Sequence, residues 1–377
     1  MTHKRNTPME DNLLGRVMKK TTQLPIAETQ SYVTKKDMPD YKMIKDTLFS
    51  VDAFNYGKIP KCTHYFLTHF HADHYMGLGK SFDSGTICCS QITANLVKLK
   101  LGVDPKVIQI IPMDTPTLIE DVWITFIDAN HCPGAVLIIF ELPDGQRFLH
   151  TGDFRAYSEL VFHHLLIDTF FDIVYLDNTY LNSPHLKFPT QSKVIEQTVN
   201  KILDIQFDDT QQRLQPVHYL FMFGTYTIGK EKLFLAVAKV LGMKIYADKE
   251  KRKVLDCLEW FDLNEMLVDD PFAAQIHVVS MRDLNQESLS TRLNYLYPKF
   301  THVVGFRPTG WNWKASESDP KYLDHETTKN GQKVVRKKVI QIHNVAYSEH
   351  SSHDELQFFC KYILAGKIVH TVSHSTF

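Results

Sequence analysis

The chain has 377 residues, too many for one ordinary domain of roughly 100–200 residues and suited to two that are fused or interleaved. Hydrophobic residues make up 44% and aromatic residues 12%, which excludes a disordered chain, and no run approaches the roughly 18 apolar residues of a membrane span. The formal net charge of −1 argues against retention on nucleic acid by bulk electrostatics, so an anionic substrate must be met by local groups.

Residues 1–29 are polar and unpatterned, a loose lead-in without an apolar signal core. The six cysteines include no CxxC pair, so neither a disulfide framework nor a zinc finger is indicated, and a reducing intracellular setting is expected. After the lead-in, apolar β-rich runs end in polar residues. Tyr65-Phe66-Leu67-Thr68 leads into His69, Trp123 to Ile127 towards His131, and Phe148-Leu149-His150 to Asp153. Ile173 to Leu176 leads to Asp177, and Ile340 to Tyr347 leads to His350. Strands that deliver polar residues at their ends are how an α/β scaffold assembles a site from distant sequence. Between about 190 and 335 the texture changes. A helix is expected from Pro189-Thr190-Gln191-Ser192 through Ile202-Leu203, and another from Gly229 to a Gly242 stop. The polar stretches 204–216 and 312–338 read as surface loops, and the whole region reads as a second domain inserted into the first. Basic runs at Lys249 to Lys253 and Lys333 to Lys338 read first as solvated faces, with nucleic-acid contact as the alternative.

His69-Phe70-His71-Ala72-Asp73-His74 packs four ligand-type side chains into six residues. Neutral imidazoles and an ionised carboxylate bind Zn²⁺ while leaving a position open for water, the arrangement of a hydrolytic site. His69 and His71, two apart on an extended segment, point the same way, whereas Asp73 and His74 follow a turn and face a neighbouring ion. His131 in Asn130-His131-Cys132-Pro133-Gly134 and Asp153 in Thr151-Gly152-Asp153 would complete and bridge two metals about 3.5–4 Å apart. The pair His163-His164 lacks such a context and reads as structural.

These motifs resemble the metallo-β-lactamase fold hydrolases, and more narrowly their β-CASP nuclease branch and its DNA cross-link repair exonuclease group, which includes Artemis and Apollo. The resemblance runs from about residue 40 to 377. It rests on Val51-Asp52-Ala53-Phe54, the Leu67 to Tyr75 run, Asp128 to Ala135, His150 to Arg155 and Tyr175-Leu176-Asp177. It continues through Gly224-Thr225-Tyr226, Ile228-Gly229-Lys230-Glu231-Lys232, Phe306 to Trp311 and Tyr347 to Ser352. It implies a four-layer αββα sandwich from 30–190 plus 336–377, with an α/β β-CASP domain of 191–335 inserted. It further implies that His69, His71, His131 and Asp153 hold the principal zinc, and that Asp73, His74 and a shared Asp153 form a weaker second site. Asp52 would buttress the ligand loop, Asp177 would orient His350, and His350 would act at the scissile phosphate as acid or charge stabiliser. DNA-acting members tend to carry Val where RNA-acting members carry a metal-binding His. An ungapped count puts Val372 there, and a register slip of two would put His374 there instead.

Gly224 to Lys230 has Walker A spacing, but Glu231 stands where an NTPase needs Ser or Thr, so the loop reads as an anion seat without ATP hydrolysis. Lys230, Thr225 and Tyr226, with Ser351 and Ser352, are the expected phosphate contacts. The expected reaction is metal-assisted phosphodiester hydrolysis, with catalytic roles for Asp73, His350, Asp177, Asp52 and Lys230. The resemblance implies a nuclear 5′-to-3′ exonuclease on single-stranded or 5′-phosphorylated DNA in interstrand cross-link repair, and a monomer is expected. An RNA-processing endonuclease and a silent zinc-binding scaffold remain as alternatives.

Overall fold

The computed structural model describes residues 38–212, 217–310, 321–329 and 332–372. The expected lead-in 1–29 and His374 lie outside the described residues. Strands β1 (Phe49–Val51), β2 (His64–Phe66), β3 (Thr86–Cys89) and β4 (Ile108–Ile110) form an all-parallel sheet in that order, with α1 (Ala72–Tyr75) after β2 and α2 (Gln91–Leu96) after β3. The chain then builds β5 (Thr117–Ile119), β6 (Val122–Asp128), β7 (Val136–Glu141) and β8 (Arg147–His150) as an antiparallel meander. The short helix α3 (Ser158–Val161) and β9 (Phe170–Leu176), parallel to β8, follow it.

Next comes α4 (Gln191–Gln212), then β10 (Tyr219–Thr225), α5 (Glu231–Leu241), β11 (Ile245–Ala247), α6 (Lys249–Asp256), α7 (Phe261–Met266) and β12 (Leu267–Val268). After these come β13 (Ile276–Ser280), α8 (Gln286–Leu296), β14 (His302–Pro308), β15 (Lys321–Lys329) and β16 (Gln332–Val345). They make a seven-stranded sheet of order β12-β11-β13-β10-β14-β16-β15, parallel except for β15. Last, α9 (His353–Tyr362) and β17 (Leu364–His370) return to the first region, where β17 pairs with β9 and completes a six-stranded sheet of order β17-β9-β8-β7-β6-β5.

Period-two alternation explains the layering. Phe66, Phe126, Ile138, Phe140 and Phe148 form a core shared by the four- and six-stranded sheets, with the rings of Phe66 and Phe140 5.2 Å apart. Side chains of the opposite parity, such as Tyr65, Leu137, Ile139 and Leu149, join Leu96 of α2, Leu160 of α3 and Phe359 of α9. Because both faces are covered, these strands read as continuous apolar runs rather than alternating ones. The arrangement is the αββα sandwich.

In the seven-stranded sheet, Phe221 and Phe223 pack with Leu233 and Phe234 of α5, while Leu220 and Met222 pack with Leu289 and Leu293 of α8. The helices after β10 and β13 therefore leave towards opposite faces, which opens a crevice between the carboxyl ends of these two neighbouring strands.

Within two expected loops, the described residues form regular structure. Helix α4 runs on to Gln212 because the 204–212 stretch holds neither Gly nor Pro to stop it. The 312–338 stretch holds β15 and half of β16, with Lys329 paired to Gln332, and the two residues between them are Asn330 and Gly331, the pair that favours a tight hairpin. β16 pairs with β14 through Val345, so the strand assigned from 336 onward to the first domain belongs to the seven-stranded sheet. No helix among the described residues is long and apolar enough to cross a membrane.

Candidate metal centre

The residues that converge come from strand ends and the turns after them. Beyond β2, His69 and His71 flank the buried Phe70, and α1 gives a single turn carrying Asp73 and His74. His131 follows β6, Asp153 follows β8, Asp177 caps β9, and His350 follows β16. Gly152, at φ +52°, lets the Asp153 loop close on Thr68, where a Cβ would stand 2.9 Å from the Thr68 Cβ.

Hydrogen bonds fix where each imidazole carries its proton. Thr68 Oγ1 donates to Asp52 Oδ2 at 2.8 Å, so it accepts from His69 Nδ1 at 3.0 Å and leaves His69 Nε2 bare. His71 Nε2 donates to the Ile228 carbonyl at 3.2 Å, leaving Nδ1 bare. His131 Nδ1 donates to the Glu349 carbonyl at 2.8 Å, leaving Nε2 bare. The bare His71 Nδ1 lies 3.0 Å from both His69 Nε2 and His131 Nε2, with no proton to bridge either gap. Asp153 Oδ2 stands 3.8 Å from His69 Nε2 and 3.9 Å from His131 Nε2. Ligands at Zn–N distances near 2.0–2.1 Å span tetrahedral edges of about 3.3 Å, which these separations bracket. Lone pairs facing one another in a buried site require a cation, and these four atoms fit one.

Charge agrees with geometry in the metal-free protein. Burial, with neighbouring imidazoles adding to it, holds His69 well below the ordinary histidine range, and burial also lowers His71. Burial with the adjacent His350 and His71 brings His131 down to about 3. The three rings are therefore neutral near pH 7 and ready to bind metal without losing protons. Burial would raise Asp153, but His74 and the other rings outweigh it and hold the carboxyl well below its usual range.

A second grouping shares Asp153. His74 Nε2 lies 3.3 Å from Asp153 Oδ2 and 3.5 Å from Asp73 Oδ2, while its Nδ1 meets Asp52 Oδ2 at 2.7 Å. Asp52 also accepts the Thr68 backbone N–H at 2.9 Å, so it ties the ligand loop together from behind. Facing the same oxygen, His350 Nε2 stands 3.9 Å from Asp153 Oδ2, and His350 Nδ1 meets Asp177 Oδ2 at 3.0 Å. Asp177 is held by the Thr179 N–H and hydroxyl at 2.9 and 2.6 Å. Burial alone would lower His350, but Asp177 and Asp153 raise it to about 9. Val372 lies nearby along the chain, its N–H and C=O both bonded to the Asn178 carboxamide at 2.9 and 3.3 Å.

The expected phosphate seat differs. Lys230 is buried, and its Nζ pairs with Glu349 Oε2 at 2.9 Å while its backbone N–H donates to Glu349 Oε1 at 2.7 Å. The Gly229 N–H is taken by Glu231 Oε2 at 2.7 Å, so the protein's own carboxylates occupy the place expected for an anion. The Ser351 hydroxyl bonds the Phe154 carbonyl and the Ala156 N–H, and Ser352 caps α9 in a reciprocal box with Glu355. Both hydroxyls are thus committed to backbone, and Thr225 Oγ1 donates to the Val279 carbonyl at 3.3 Å. Tyr226 is exposed. Charges in the Lys249 to Lys253 run are largely internal: Lys251 pairs with Glu231, Lys253 with Glu250, and Arg252 with Asp256. His163 pairs with Asp114 at 3.5 Å, away from the ligand cluster.

Sequence reasoning missed Glu349, although it directly precedes His350. Its signal was electrostatic, since a lysine expected beside buried backbone needs a carboxylate partner. It also missed Cys132, whose sulfur falls within the same 4.8 Å cluster as His69, His71 and His131, and the Ile228 carbonyl, which no side-chain pattern announces.

Residues 261–376 match the family described as DNA repair metallo-beta-lactamase. The chain is 42% identical over 337 residues to the DNA cross-link repair protein SNM1 of Arabidopsis thaliana, covering 89% of this chain and 66% of that protein. It is 39% identical over 362 residues to the human DNA cross-link repair 1A protein, covering 96% of this chain but 33% of that protein. To the chicken 5′ exonuclease Apollo it is 29% identical over 322 residues, covering 85% of this chain and 61% of that protein. The chain thus spans a third to two thirds of the length of these relatives. A crystal structure of a protein of unknown function from Enterococcus faecalis V583 is similar in fold alone, with a TM-score of 0.52 and 12% identity over 82% of this chain and 75% of that one. Sheet topology, ligand order along the chain and these likenesses agree: the chain belongs to the DNA cross-link repair group of the metallo-β-lactamase fold β-CASP family.

Proposed function

We propose that this chain is a zinc-dependent DNA phosphodiesterase, a 5′-to-3′ exonuclease acting in the nucleus on 5′-phosphorylated DNA during interstrand cross-link repair. The observation that carries the reading is the convergence of three bare imidazole nitrogens, 3.0 Å apart in successive pairs, with Asp153 beside them. In this reading His69, His71, His131 and Asp153 hold the principal ion, and Asp73, His74 and the shared Asp153 hold a weaker second one. A bound divalent ion supplies Lewis acidity and lowers the pKa of water. The protein's own residues do the rest. Asp177 accepts from His350 Nδ1 and so directs the opposite nitrogen, Nε2, towards the centre, where it can meet the departing oxygen as acid or charge stabiliser. Asp52 holds His74 in one tautomer so that its other nitrogen faces the second position.

We place the terminal phosphate in the crevice between β10 and β13, a cavity of about 560 Å³ whose lining includes Thr225, Tyr226, Ser280 and Arg282, with Lys251, itself paired to Glu231, and the carboxylates Asp248 and Glu250 at its wall. Its lining includes Thr225, Tyr226 and Thr227 of the same loop whose Ile228 carbonyl meets His71, which ties the crevice to the ligand cluster through that loop. A recess for the terminal phosphate favours cutting from an end. The seven-stranded sheet, reached after β9 and left after β16, serves in this reading as the inserted β-CASP domain. Val372, tied beside Asp177 through Asn178, supports the DNA reading over the RNA one.

Metal analysis, together with digestion of matched DNA bearing 5′-phosphate or 5′-hydroxyl and of RNA with the same sequence, tests the proposal. Zinc binding with preference for 5′-phosphorylated DNA is expected. Selective RNA cleavage would sink the substrate assignment, and full activity in Asp73→Ala would refute the second metal position.

A further inference from the structure

The Lys230–Glu349 pair sits where the seven-stranded sheet meets the metal ligands. Two of the three imidazoles owe their tautomers to backbone carbonyls on this contact: His71 to Ile228, in the loop between β10 and α5, and His131 to Glu349 itself. The Glu349 carboxylate then clasps the loop twice, through the Lys230 backbone N–H at 2.7 Å and Nζ at 2.9 Å. Both side chains are buried, and Gly229, at φ +115°, lets them close, since a Cβ there would lie 2.9 Å from Glu349 Oε2. Rings of Tyr226 and Tyr347 lie 5.9 and 5.7 Å from Lys230 Nζ and screen the pair. Moving the loop therefore moves the Ile228 carbonyl, and releasing Glu349 loosens the carbonyl that sets His131.

We propose that Lys230 and Glu349 are positioning residues, a latch through which docking of the β10–α5 loop sets the affinity of the metal centre. The proposal rests on the metal reading above and adds that metal binding and loop docking are one coupled equilibrium. Partners that orient a ligating histidine typically change metal affinity by about 10–100-fold. Reciprocity then requires bound metal to favour the docked loop by the same factor.

Two measurements on the full chain test this. In the first, zinc affinity is determined by chelator competition for wild type, Lys230→Met, Glu349→Gln and the conservative Lys230→Arg. The first two should bind zinc about 10–100-fold more weakly, and Lys230→Arg should recover most of the loss. Folded variants that bind zinc as tightly as wild type while melting at lower temperature would reduce the pair to a structural one and overturn the latch. The second needs no variant: amide hydrogen exchange at Gly229 and Lys230 in wild type, with and without zinc. Slowing by about the same 10–100-fold is expected, and equal rates in zinc-free and zinc-loaded protein would overturn the coupling. Failure of wild type to bind zinc at all would instead overturn the metal reading, so the two failures are distinguishable.

Discussion

Two surfaces meet where His71 touches Ile228, and they are built on opposite electrostatic principles. On the ligand side, unprotonated nitrogens and a carboxylate oxygen face one another at 3.0–3.9 Å, and each of the three imidazoles has its other nitrogen already bonded to protein. On the loop side, backbone N–H groups and a lysine face Glu231 and Glu349, and every charge is matched within the chain. The first arrangement is incomplete without an external cation. The second is complete, which is why the Gly229 and Lys230 N–H groups and the Lys230 ammonium, despite phosphate-loop spacing, are not free to hold an anion. Buried groups of one sign signal a ligand, whereas buried groups of both signs signal a joint.

Replacing Asp153 by Asn should break the ligand side most deeply. It removes the carboxylate charge that the two proposed metal positions would share, and phosphodiesterase activity should fall about 10³-fold or more, the several kcal/mol that Lewis-acid assistance supplies. Metal content measured in parallel should fall with it, and retained metal with retained rate would contradict the shared role of Asp153.

On the loop side, Lys230→Met leaves a buried unpaired carboxylate and should cost about 3–5 kcal/mol in denaturant unfolding, most of it recovered when Glu349→Leu is added. A double variant no more stable than the single would show that the pair is not a closed electrostatic unit. Gly229→Ala forces a Cβ against Glu349 at positive φ and should cost about 1–3 kcal/mol by thermal melting.

A pH test separates the two principles at His350. Its folded pKa, about 9, exceeds the ordinary histidine value, so its contribution to stability in the metal-free protein is full below about pH 6.5 and is lost as pH rises through 9. Asp177→Asn removes the main raising influence, so thermal midpoints of metal-free wild type and variant should differ at pH 6 and converge above pH 9. A constant difference across that range would show that the carboxylate does not act through His350.

Smallest of all, Ser352→Ala should cost about 1 kcal/mol through loss of its helix cap and leave KM for 5′-phosphorylated DNA unchanged. A raised KM would return that hydroxyl to the substrate.

The ligand side was legible in the sequence because its chemistry is local and its residue types are uncommon in combination. Four ligand-type side chains in His69 to His74 leave few structural explanations, and His131 and Asp153 sit at the ends of apolar strands where a site is expected. The loop side was not legible, because sequence reports which groups can donate but not which acceptor reaches them first. Glu349 reaches Lys230 across 119 residues, and Ser352 turns inward because α9 needs a cap. The β15–β16 hairpin escaped for a different reason: its polar composition masks strand propensity, and only Asn330-Gly331 marks the turn.

The separation between His350 and the ligands has a consequence for synthesis. Every residue of the three-imidazole and Asp153 cluster has been translated once the ribosome passes residue 153, whereas the carbonyl that orients His131 and the imidazole that faces Asp177 come 196 and 197 residues later by sequence position. Because chains emerge N-terminus first and fold as units become complete, the candidate ligands are on hand long before the carbonyl that aligns His131 and the ring that faces Asp177. A nascent chain therefore presents the clustered imidazoles before they are aligned, and alignment arrives only when β16 has closed the seven-stranded sheet and carried Glu349 and His350 back to them.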